Sequence, residues 1–594
     1  MRIVGVAIAV WIVIFCSAAF GALQGIARIQ EDLKTGRISY ETSLLYRTYS
    51  LFEPSKLPPE YRDEGRFVKS GTSLASEVRA YWSELSPSAK TVLSAFYSRP
   101  VLPESHLSES GRFCIHYTRS GRDSVSPVDS DGDGVPDYVE EAATDFDKAY
   151  ALEVETLGYK EPVHDGIAGG DNDAWDVYIR DLWGSRVYGY TTPEHRAGPG
   201  YGYTAFIEID NDFEDGYPTQ GSDALGITSA HEFFHVIHFS YYGFGGLEWW
   251  MEICSTWMED VAYTDVNDYY SYLSYFFDFP EQRLDKKNNQ HEYGATVFAH
   301  YLSKRFGPEV IREIWEEIGA SGQSDMRPFN RVLSRWISGG IGAAMKEFAV
   351  WNYYTGSRAQ PDRYYPEGAY YPEIRIKKKH IVYPAEGEGT LEHLSAHYIQ
   401  FSETQDKPGG LLLGFDSEEP NAWWGTLVGL SPSREDTMWA VEDGMGTIVG
   451  WDAFREIALI AVVTSPTGYA FRYAYNGTYD PTLTDKIVPE RTSVGQSAPN
   501  PFVLGGETGT MCVPFELAQV STVTFTIYTL QGVLVHHQKW STLAPRQYKD
   551  LARWDGKNEH GRSVGSGIYL VRLEVQSDSG TVEAVRKIAV IRAE

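Results

Sequence analysis

The chain has 594 residues, and its 81 Asp and Glu outnumber its 52 Lys and Arg, which gives a formal net charge of −29. This charge excludes nucleic acid as an expected partner, because phosphate binding needs a basic face. The hydrophobic fraction of 42% is enough for packed cores, and the length suggests about four domains. The four cysteines are too few and too scattered for a disulfide framework, so we expect the cores to carry the stability.

The N-terminus has the pattern of a secretion signal. Arg2 precedes an apolar run from Ile3 to Phe15, and small residues at Ala19 and Gly21 are suited to signal peptidase. We predict a signal peptide over residues 1–21 and therefore a secreted or cell-surface protein. An uncleaved anchor is the alternative, since the apolar stretch reaches about Ala22 and is just long enough to span a bilayer.

Polar helices are predicted for residues 22–110, in stretches such as "SLASEVRAYWSELSPSAKTVLSAFYS". We interpret this region as a prodomain or a helical cap.

Residues 111–360 mix strands and helices. The stretches "RFCIHYT", "WDVYIRDL" and "YTAFIEID" predict strands by their β-branched and aromatic content. The stretch "YVEEAATDFDKAYALEVETLGY" predicts a helix that ends at Gly158, and two more helices are predicted over about 223–241 and 247–261. We therefore expect a mixed sheet with helices packed against it.

The remaining chain predicts two all-β modules. Short alternating runs such as "AHYIQF" and "EIALIAVVT" indicate a sandwich over residues 361–480. A Pro- and Thr-containing linker is predicted over 481–498, and a second all-β module over 499–594.

The stretch His231-Glu232-Phe233-Phe234-His235 is a candidate zinc motif. On a helix, residues four apart lie on one face, so both imidazoles can bind one metal ion. Glu232 would lie beside the metal, where it can take a proton from a bound water. The alternative is a chance match on a buried amphipathic helix.

A catalytic zinc ion normally has a third protein ligand and one open position. A histidine six residues after His235 would be one such ligand, but that position is Tyr241. The next helix, "EWWMEICSTWMED", offers Glu248, Glu252 and Glu259, and also Cys254. The spacing alone leaves these four open.

This second helix, in "WWMEICSTWMED", resembles the second zinc helix of the gluzincin peptidases. The resemblance implies that Glu252 is the third zinc ligand. It also implies that Glu259, two helical turns later, is a second-shell acid that accepts the other N–H of His231 or His235, or that orders Glu252 through water.

Two further stretches resemble segments of the same peptidases more weakly. "YTAFIEID" resembles the edge strand that holds substrate by backbone hydrogen bonds. "HEYGATVFAHYLSKRFG" resembles the segment in which a Tyr stabilises the oxyanion. Tyr293 is the first candidate for this role, and His291 is the second. The alternative is that Tyr293 only packs in the core. Residues from about 112 to 356 together resemble secreted bacterial zincin-like metallopeptidases.

The stretch "DSDGDGVPDYVE" matches an EF-hand-type calcium loop at every ligand position. An acidic loop before a helix is the alternative. Pro136 has no N–H to offer a paired loop, which favours a solitary structural site. The predicted ligands are the side chains of Asp129, Asp131, Asp133, Asp137 and Glu140 and the carbonyl of Val135.

The C-terminal module, with "APNPF" and "WDGKNEHGRSVGSGIYLVRL", resembles the Ig-like domain of the flagellar hook-cap protein and the sorting domains of type IX secretion. That resemblance implies a partner in the secretion machinery or at the cell surface. An Ig domain that acts only as a spacer is the alternative.

Together these patterns predict a multidomain α+β protein, with a zincin-like catalytic domain followed by two all-β Ig-like sandwiches. We expect a secreted zinc endopeptidase with Zn²⁺ and Ca²⁺ as cofactors and polypeptides as substrates. A zinc aminopeptidase on the same site and a non-catalytic, calcium-stabilised surface adhesion protein are the rival hypotheses.

Overall fold

The computed structural model describes residues 24–592, except 63–67, 165, 167–171, 197–201, 215, 244, 403–408, 432–435, 442–443, 452–453, 455, 482, 484–490, 505–508, 544 and 546. The predicted signal peptide and residues 482 and 484–490 of the predicted linker lie outside these residues. No helix among the described residues combines the length and the apolar character needed to cross a membrane.

The α-helices are α1 Gln24–Lys34, α2 Tyr40–Phe52, α3 Thr72–Ala80, α4 Pro87–Tyr97, α5 Asp137–Tyr150, α6 Gly221–Tyr241, α7 Glu248–Ala262, α8 Tyr270–Phe277, α9 His291–Gly294, α10 Val297–Phe306, α11 Glu309–Ser321, α12 Arg327–Trp336 and α13 Gly340–Tyr353. A π-helical stretch, Ala151–Thr156, continues α5.

The strands are β1 Val68–Ser70, β2 Glu104–Leu107, β3 Phe113–Tyr117, β4 Trp175–Arg180, β5 Val187–Arg196, β6 Tyr203–Asp210, β7 Lys378–His380, β8 Ala385–Leu391, β9 Ser395–Phe401, β10 Gly410–Ser417, β11 Trp423–Leu430, β12 Thr437–Val441, β13 Met445–Ile448, β14 Glu456–Val463, β15 Phe471–Asp480, β16 Ser493–Val494, β17 Phe502–Leu504, β18 Met511–Glu516, β19 Ser521–Thr529, β20 Leu534–Leu543, β21 Gln547–Trp554, β22 Gly567–Ser577 and β23 Gly580–Arg592.

The N-terminal region contains the helices that the sequence predicts, α1 to α4, and two short strands that it does not. Strand β1 spans only three residues between α2 and α3. So short a strand has no recognisable alternation, and its position is set by the strand beside it.

The first sheet has six strands in the order β1-β5-β6-β4-β3-β2. Strands β6, β4 and β3 are parallel, β5 is antiparallel to β6, and β1 is parallel to β5. The prediction that "YTAFIEID" forms the edge strand is wrong, because this stretch is β6 and lies between β5 and β4. Strand β5, "VYGYTTPEHR", is not predicted by its sequence, because Gly189 and Pro193 weaken the strand pattern.

Helices α6 and α7 form the centre of the fold behind this sheet. Every residue of α6 from Ala224 to Tyr241 is buried, and so is every residue of α7 from Glu248 to Glu259. A helix that is buried all round lies in a core rather than at a surface. Polar side chains on α6 and α7 are therefore enclosed by protein, and each needs a partner there.

The first β-sandwich has a four-stranded sheet, β13-β10-β15-β8, and a five-stranded sheet, β12-β11-β14-β9-β7. Apolar residues of β9, β11 and β14 also belong to the large core that includes α6, α7 and α13. The Tyr398 hydroxyl of β9 donates to the Ala349 carbonyl of α13 at 2.9 Å. Residues on both sides of position 360 thus share one continuous core.

The C-terminal sandwich has its own core. Its three-stranded sheet, β16-β18-β21, and its five-stranded sheet, β17-β23-β22-β19-β20, enclose a separate cluster that includes Phe525, Trp554 and Val571. The molecule is therefore a multidomain protein of mixed helices and several sheets.

Candidate metal centre

Three side-chain atoms converge between α6 and α7. The Nε2 atoms of His231 and His235 lie 3.1 Å apart. Glu252 Oε2 lies 3.3 Å from Nε2 of His231 and 3.5 Å from Nε2 of His235. All three side chains are at most 1% exposed. These residues form a group that can hold a metal ion.

The spacing of these atoms fits a tetrahedral zinc ion. Ligand atoms about 2.0–2.2 Å from such an ion lie about 3.3–3.6 Å from one another. Both distances to Glu252 fall in this range, and the distance between the two imidazole nitrogens is slightly shorter. Two imidazole nitrogens and one carboxylate oxygen are also a donor set that catalytic zinc sites use. The residues present therefore fit the ion that the sequence predicts.

A second carboxylate holds one of the imidazoles. Glu259 Oε1 lies 2.6 Å from Nδ1 of His231, so Glu259 fixes the ring with Nε2 facing His235 and Glu252. Burial alone would lower the pKa of His231, but the carboxylates of Glu252 and Glu259 outweigh it and raise this pKa to about 10. Burial opposes ionisation of Glu252, yet the neighbouring histidines hold its pKa at about 2.

Glu232, the predicted general base, lies beside this group. Its Oε2 accepts hydrogen bonds from Thr191 Oγ1 at 2.8 Å and from Thr72 Oγ1 at 3.0 Å. Its Oε1 is buried without a hydrogen-bond partner among the described residues. Gly189 of β5 allows this close packing, because a Cβ there would lie 3.1 Å from Glu232 Cγ and 2.9 Å from a backbone oxygen.

Tyr293, the predicted oxyanion residue, is buried in the short helix α9. Its hydroxyl lies 3.3 Å from both the backbone N and the backbone O of Ser70. It can therefore donate to one peptide oxygen or accept from one peptide N–H. His291, the second candidate for the oxyanion role, is also buried, and burial lowers the pKa of His291 to about 4.

The N-terminal region reaches into the site with a segment we call the insertion segment, residues 68–73. Besides the contact from Thr72 to Glu232, Ser73 Oγ donates to Glu252 Oε1 at 2.9 Å. Lys69 Nζ lies 2.9 Å from Glu259 Oε2 and 2.5 Å from Asp268 Oδ2. Burial disfavours the charge on Lys69, but Asp268 and Glu259 raise the pKa of this amine.

The other acidic and sulfur candidates on α7 lie elsewhere. Glu248 accepts from the backbone N–H groups of Gly245 and Gly246, at 3.2 Å and 3.0 Å. Cys254 is fully buried, and burial raises the pKa of its thiol. Neither belongs to a metal-competent group among the described residues. His238 stacks on Trp315, with the two ring centroids 4.2 Å apart.

The predicted calcium loop brings three of its ligands together. Carboxylate oxygens of Asp129, Asp131 and Asp133 lie within 4.8 Å of one another. Asp129 accepts from the backbone N–H groups of Gly132 and Gly134, at 2.7 Å and 3.0 Å. The positive φ of Gly134, 97°, makes the sharp turn that the pattern requires.

The other predicted ligands of the loop do not belong to this group of three carboxylates. Both carboxylate oxygens of Asp137 accept from Ser130, from its backbone N–H and its hydroxyl, and these bonds lower the pKa of Asp137. Glu140 and Val135 lie in or beside the start of α5. Burial and the neighbouring aspartates raise the pKa of Glu140. The acidic set therefore fits a cation, and each Asp137 oxygen keeps a lone pair beside its hydrogen bond from Ser130.

A third cluster was not predicted. The thiol of Cys114, the imidazole of His116 and the carboxylate of Asp176 offer ligand atoms within 4.8 Å of one another. His116 Nε2 lies 2.6 Å from Asp176 Oδ1, and Arg99 forms an ion pair with the same carboxylate. The alternation of Cys114 and His116 along β3 was the available signal. The guanidinium of Arg99 already balances the charge that would attract a cation.

Comparisons with known proteins assign the chain to no family. No family model and no curated protein matches the chain. Similar solved structures include dimeric latent PorU from Porphyromonas gingivalis, at 15% identity and a TM-score of 0.15, where the match covers 32% of this chain and 18% of PorU. FlgD from P. aeruginosa matches at 18% identity and a TM-score of 0.13, over 17% of this chain and 72% of FlgD.

A β-glucuronidase from Parabacteroides merdae matches at 14% identity and a TM-score of 0.14, over 36% of this chain and 28% of the enzyme. The chain thus spans less than a third of PorU and of this glucuronidase. TM-scores this low assign neither a fold nor a function.

Proposed function

We propose that the protein is a secreted zinc-dependent endopeptidase with a zincin-like catalytic domain. The observation that carries this proposal is the convergence of His231, His235 and Glu252 at metal-ligand spacing, with Glu232 next to His231 in the chain and its carboxylate held by Thr191. Two helices buried on all sides hold these side chains, so the site is fixed before substrate arrives.

His231, His235 and Glu252 would hold the zinc ion. When bound, the ion would lower the pKa of a water molecule and polarise the scissile carbonyl. Glu232 takes a proton from the attacking water and passes it to the leaving amine. Thr191 orients Glu232 for this transfer, since it donates to Oε2 and leaves Oε1 free of partners among the described residues.

Strand β5 supplies the backbone groups that hold an extended polypeptide, because it is the outermost long strand beside the metal group. Tyr293 donates a hydrogen bond to a peptide oxygen of the bound chain, as its hydroxyl already does towards Ser70. These contacts fix the scissile bond without participating in proton transfer.

The path of the insertion segment favours an endopeptidase over an aminopeptidase. This segment arrives as β1 and leaves as α3, so continuous chain extends from both sides of the metal group. An aminopeptidase site must instead end against a free amine. A cleft that admits chain on both sides suits internal peptide bonds.

The acidic loop and the C-terminal sandwich have supporting roles in this proposal. Asp129, Asp131 and Asp133 would hold Ca²⁺, with Val135, Asp137 and Glu140 completing the shell, and the ion would tie α5 to the chain before it. The C-terminal sandwich, with its separate core, would serve export or attachment at the cell surface.

The test measures zinc content and casein digestion in one purified sample. We expect about one zinc per chain, loss of digestion on chelation, and recovery when zinc is returned. The N-terminal region lies over the site, so digestion is measured a second time on cut protein. An added protease first cuts the chain at Val101, which is 97% exposed, and this protease is then inhibited. Zinc-loaded, cut protein that digests nothing contradicts the proposal.

A further inference from the structure

The insertion segment lies where a substrate would have to lie. Strand β1 pairs with β5 in parallel, with Val68 opposite Val187 and Ser70 opposite Gly189. The backbone N–H of Gly71 continues this pairing to the Gly189 carbonyl at 3.3 Å. Addition of an extended segment to a sheet edge is a common way for proteins to bind peptides.

The same segment touches the groups assigned to catalysis above. Ser70 contacts the Tyr293 hydroxyl, Thr72 contacts Glu232, and Ser73 contacts Glu252. A polypeptide substrate cannot reach these three side chains while the segment is in place. The segment therefore occupies the cleft in place of a substrate. The residues that surround each of its side chains indicate which substrate side chain the cleft can bind.

Lys69 enters a pocket built for a positive charge. Its side chain is 1% exposed, and its Nζ contacts the carboxylates of Glu259 and Asp268 at 2.9 Å and 2.5 Å. The same Nζ lies 4.5 Å from the centre of the Tyr188 ring and 5.8 Å from that of Tyr272. Two carboxylates and two aromatic faces around one ammonium form a cation site.

The pocket is held in shape by groups other than Lys69. Asp268 Oδ1 accepts from the Tyr188 hydroxyl at 3.3 Å and from the Thr219 hydroxyl. Glu259 is held by His231 through its other oxygen. When Lys69 leaves, the buried carboxylate of Asp268 loses its cation and Glu259 keeps only its contact with His231, which is costly unless another cation replaces Lys69.

We infer that the pocket around Glu259 and Asp268 binds a lysine or arginine side chain of the polypeptide substrate, and that Lys69 fills it as an internal substitute. This inference rests on the peptidase function proposed above and names its substrate class. It also makes the full chain latent, because substrate and insertion segment compete for one cleft.

The first experiment displaces the segment by charge. Lys69→Glu places a third carboxylate beside Glu259 and Asp268, whereas Lys69→Arg keeps the cation. We expect zinc-loaded full-length K69E to digest casein about tenfold faster than wild type or more, and K69R to stay within about twofold of wild type. Equal activity of K69E and K69R overturns the competition between segment and substrate.

The second experiment measures specificity with peptide pairs that differ only in lysine against norleucine. In K69E we expect a kcat/KM about tenfold or more in favour of lysine at one fixed position near the cleaved bond. Asp268→Asn should reduce that preference. Asp285→Asn is the matched control, since Asp285 pairs with His393 and Arg283 outside the cleft. A hydrolysing K69E without lysine preference overturns the pocket assignment.

Binding separates this inference from the proposed hydrolysis. Glu232→Gln in the K69E background removes the base, and peptide binding is then followed by fluorescence anisotropy. A lysine peptide that binds about tenfold tighter than its norleucine partner supports the pocket even if no variant hydrolyses anything, in which case the proposed catalysis alone fails. Equal binding of the two peptides overturns the pocket.

A last measurement covers the case in which K69E does not fold. Lys69→Ala leaves room for a free n-butylammonium ion beside the two carboxylates. We expect this ion to raise the melting temperature of K69A more than 1-butanol does, with no such difference in wild type, whose pocket is filled. Equal effects of the ion and the alcohol on K69A overturn the inference.

Discussion

The two predicted metal sites of this chain are built in opposite ways. The group of His231, His235 and Glu252 lies on two buried helices and is at most 1% exposed. The group of Asp129, Asp131 and Asp133 lies in one exposed loop, and backbone N–H groups of the same loop orient its carboxylates. A local site is encoded by consecutive residues, whereas the buried site depends on how distant parts of the chain pack.

This difference has energetic consequences. Carboxylates at the surface keep much of their hydration when no ion is bound, so the loop tolerates the loss of its cation. The buried group is shielded from water, so its charges depend on contacts with one another, on Ser73 and on Glu259, which in turn contacts Lys69. We therefore expect changes at the buried site to be large and changes at the loop to be graded.

The largest effect is expected from removal of the base at the buried site. Glu232→Gln should keep zinc and lower peptide hydrolysis about 10²–10⁴-fold, because glutamine cannot accept the proton of the water. Zinc content and turnover are measured on the same sample, with the N-terminal connection cut. Asp131→Ala with Asp133→Ala is the contrast at the exposed loop and should leave turnover per folded molecule within about twofold. Turnover retained in E232Q would remove Glu232 from the mechanism.

The next effect concerns the ligands themselves. Glu252→Ala should weaken zinc binding by about two orders of magnitude, since it leaves two histidines as the only ligands. Glu259→Ala should cost about 10–100-fold in affinity or activity, because it frees the His231 ring. Glu248→Ala is the matched control on the same helix. Zinc titration with a competing chelator gives the constants, and a strong loss in E248A without one in E252A would refute the ligand assignment.

The two sites should also differ in their dependence on pH. Without metal, the pKa of His231 is raised to about 10, so the imidazole carries a proton that zinc must displace. Apparent zinc affinity should therefore rise about tenfold per pH unit between pH 7 and 9. Calcium affinity should stay nearly constant there, because no imidazole belongs to the predicted ligands of the loop. Competitive titrations at three pH values test both, and a flat zinc profile would contradict the protonated state of His231.

Calcium should act on stability rather than on chemistry. At about 100 times its dissociation constant, a ligand of the folded state stabilises it by about 2.7 kcal/mol. We expect calcium to raise the melting temperature of the wild type, and the Asp131→Ala, Asp133→Ala double variant to lose most of that response. Differential scanning fluorimetry with calcium and with chelator measures both melting temperatures. Identical curves in the wild type would leave the loop as a plain acidic turn.

The smallest effect is expected from removal of the C-terminal sandwich. A chain shortened to end after Asp480 keeps both metal groups and the core shared with the first sandwich. Its hydrolysis per zinc-loaded molecule should stay within about twofold of the full chain, while its localisation changes. The same cut placed after residue 360 should unfold the catalytic region, because β9, β11 and β14 complete its core. A tenfold loss in the chain ending after Asp480, with zinc retained, would mean that the sandwich shapes the site.

The sequence by itself determined what depends on local spacing. Helical periodicity placed His231 and His235 on one face, and the second helix carries Glu252 and Glu259 on a face of its own. The convergence of Asp129, Asp131 and Asp133 followed from consecutive residues, because these side chains and the turn between them belong to one short segment. The separation into helical and all-β parts followed from periodicity and turn residues.

Only the tertiary structure decided which strand borders the site and what covers it. Strand β5 holds that position although its Gly and Pro weaken the strand pattern. Lys69 meets Asp268 across 199 residues of chain, and Ser70 meets Tyr293 across 223. No local propensity encodes such pairs, since they form only when the edge of the sheet and the buried helices are brought together by the common core. The third ligand belongs to the same class, because α7 faces α6 only in the folded protein.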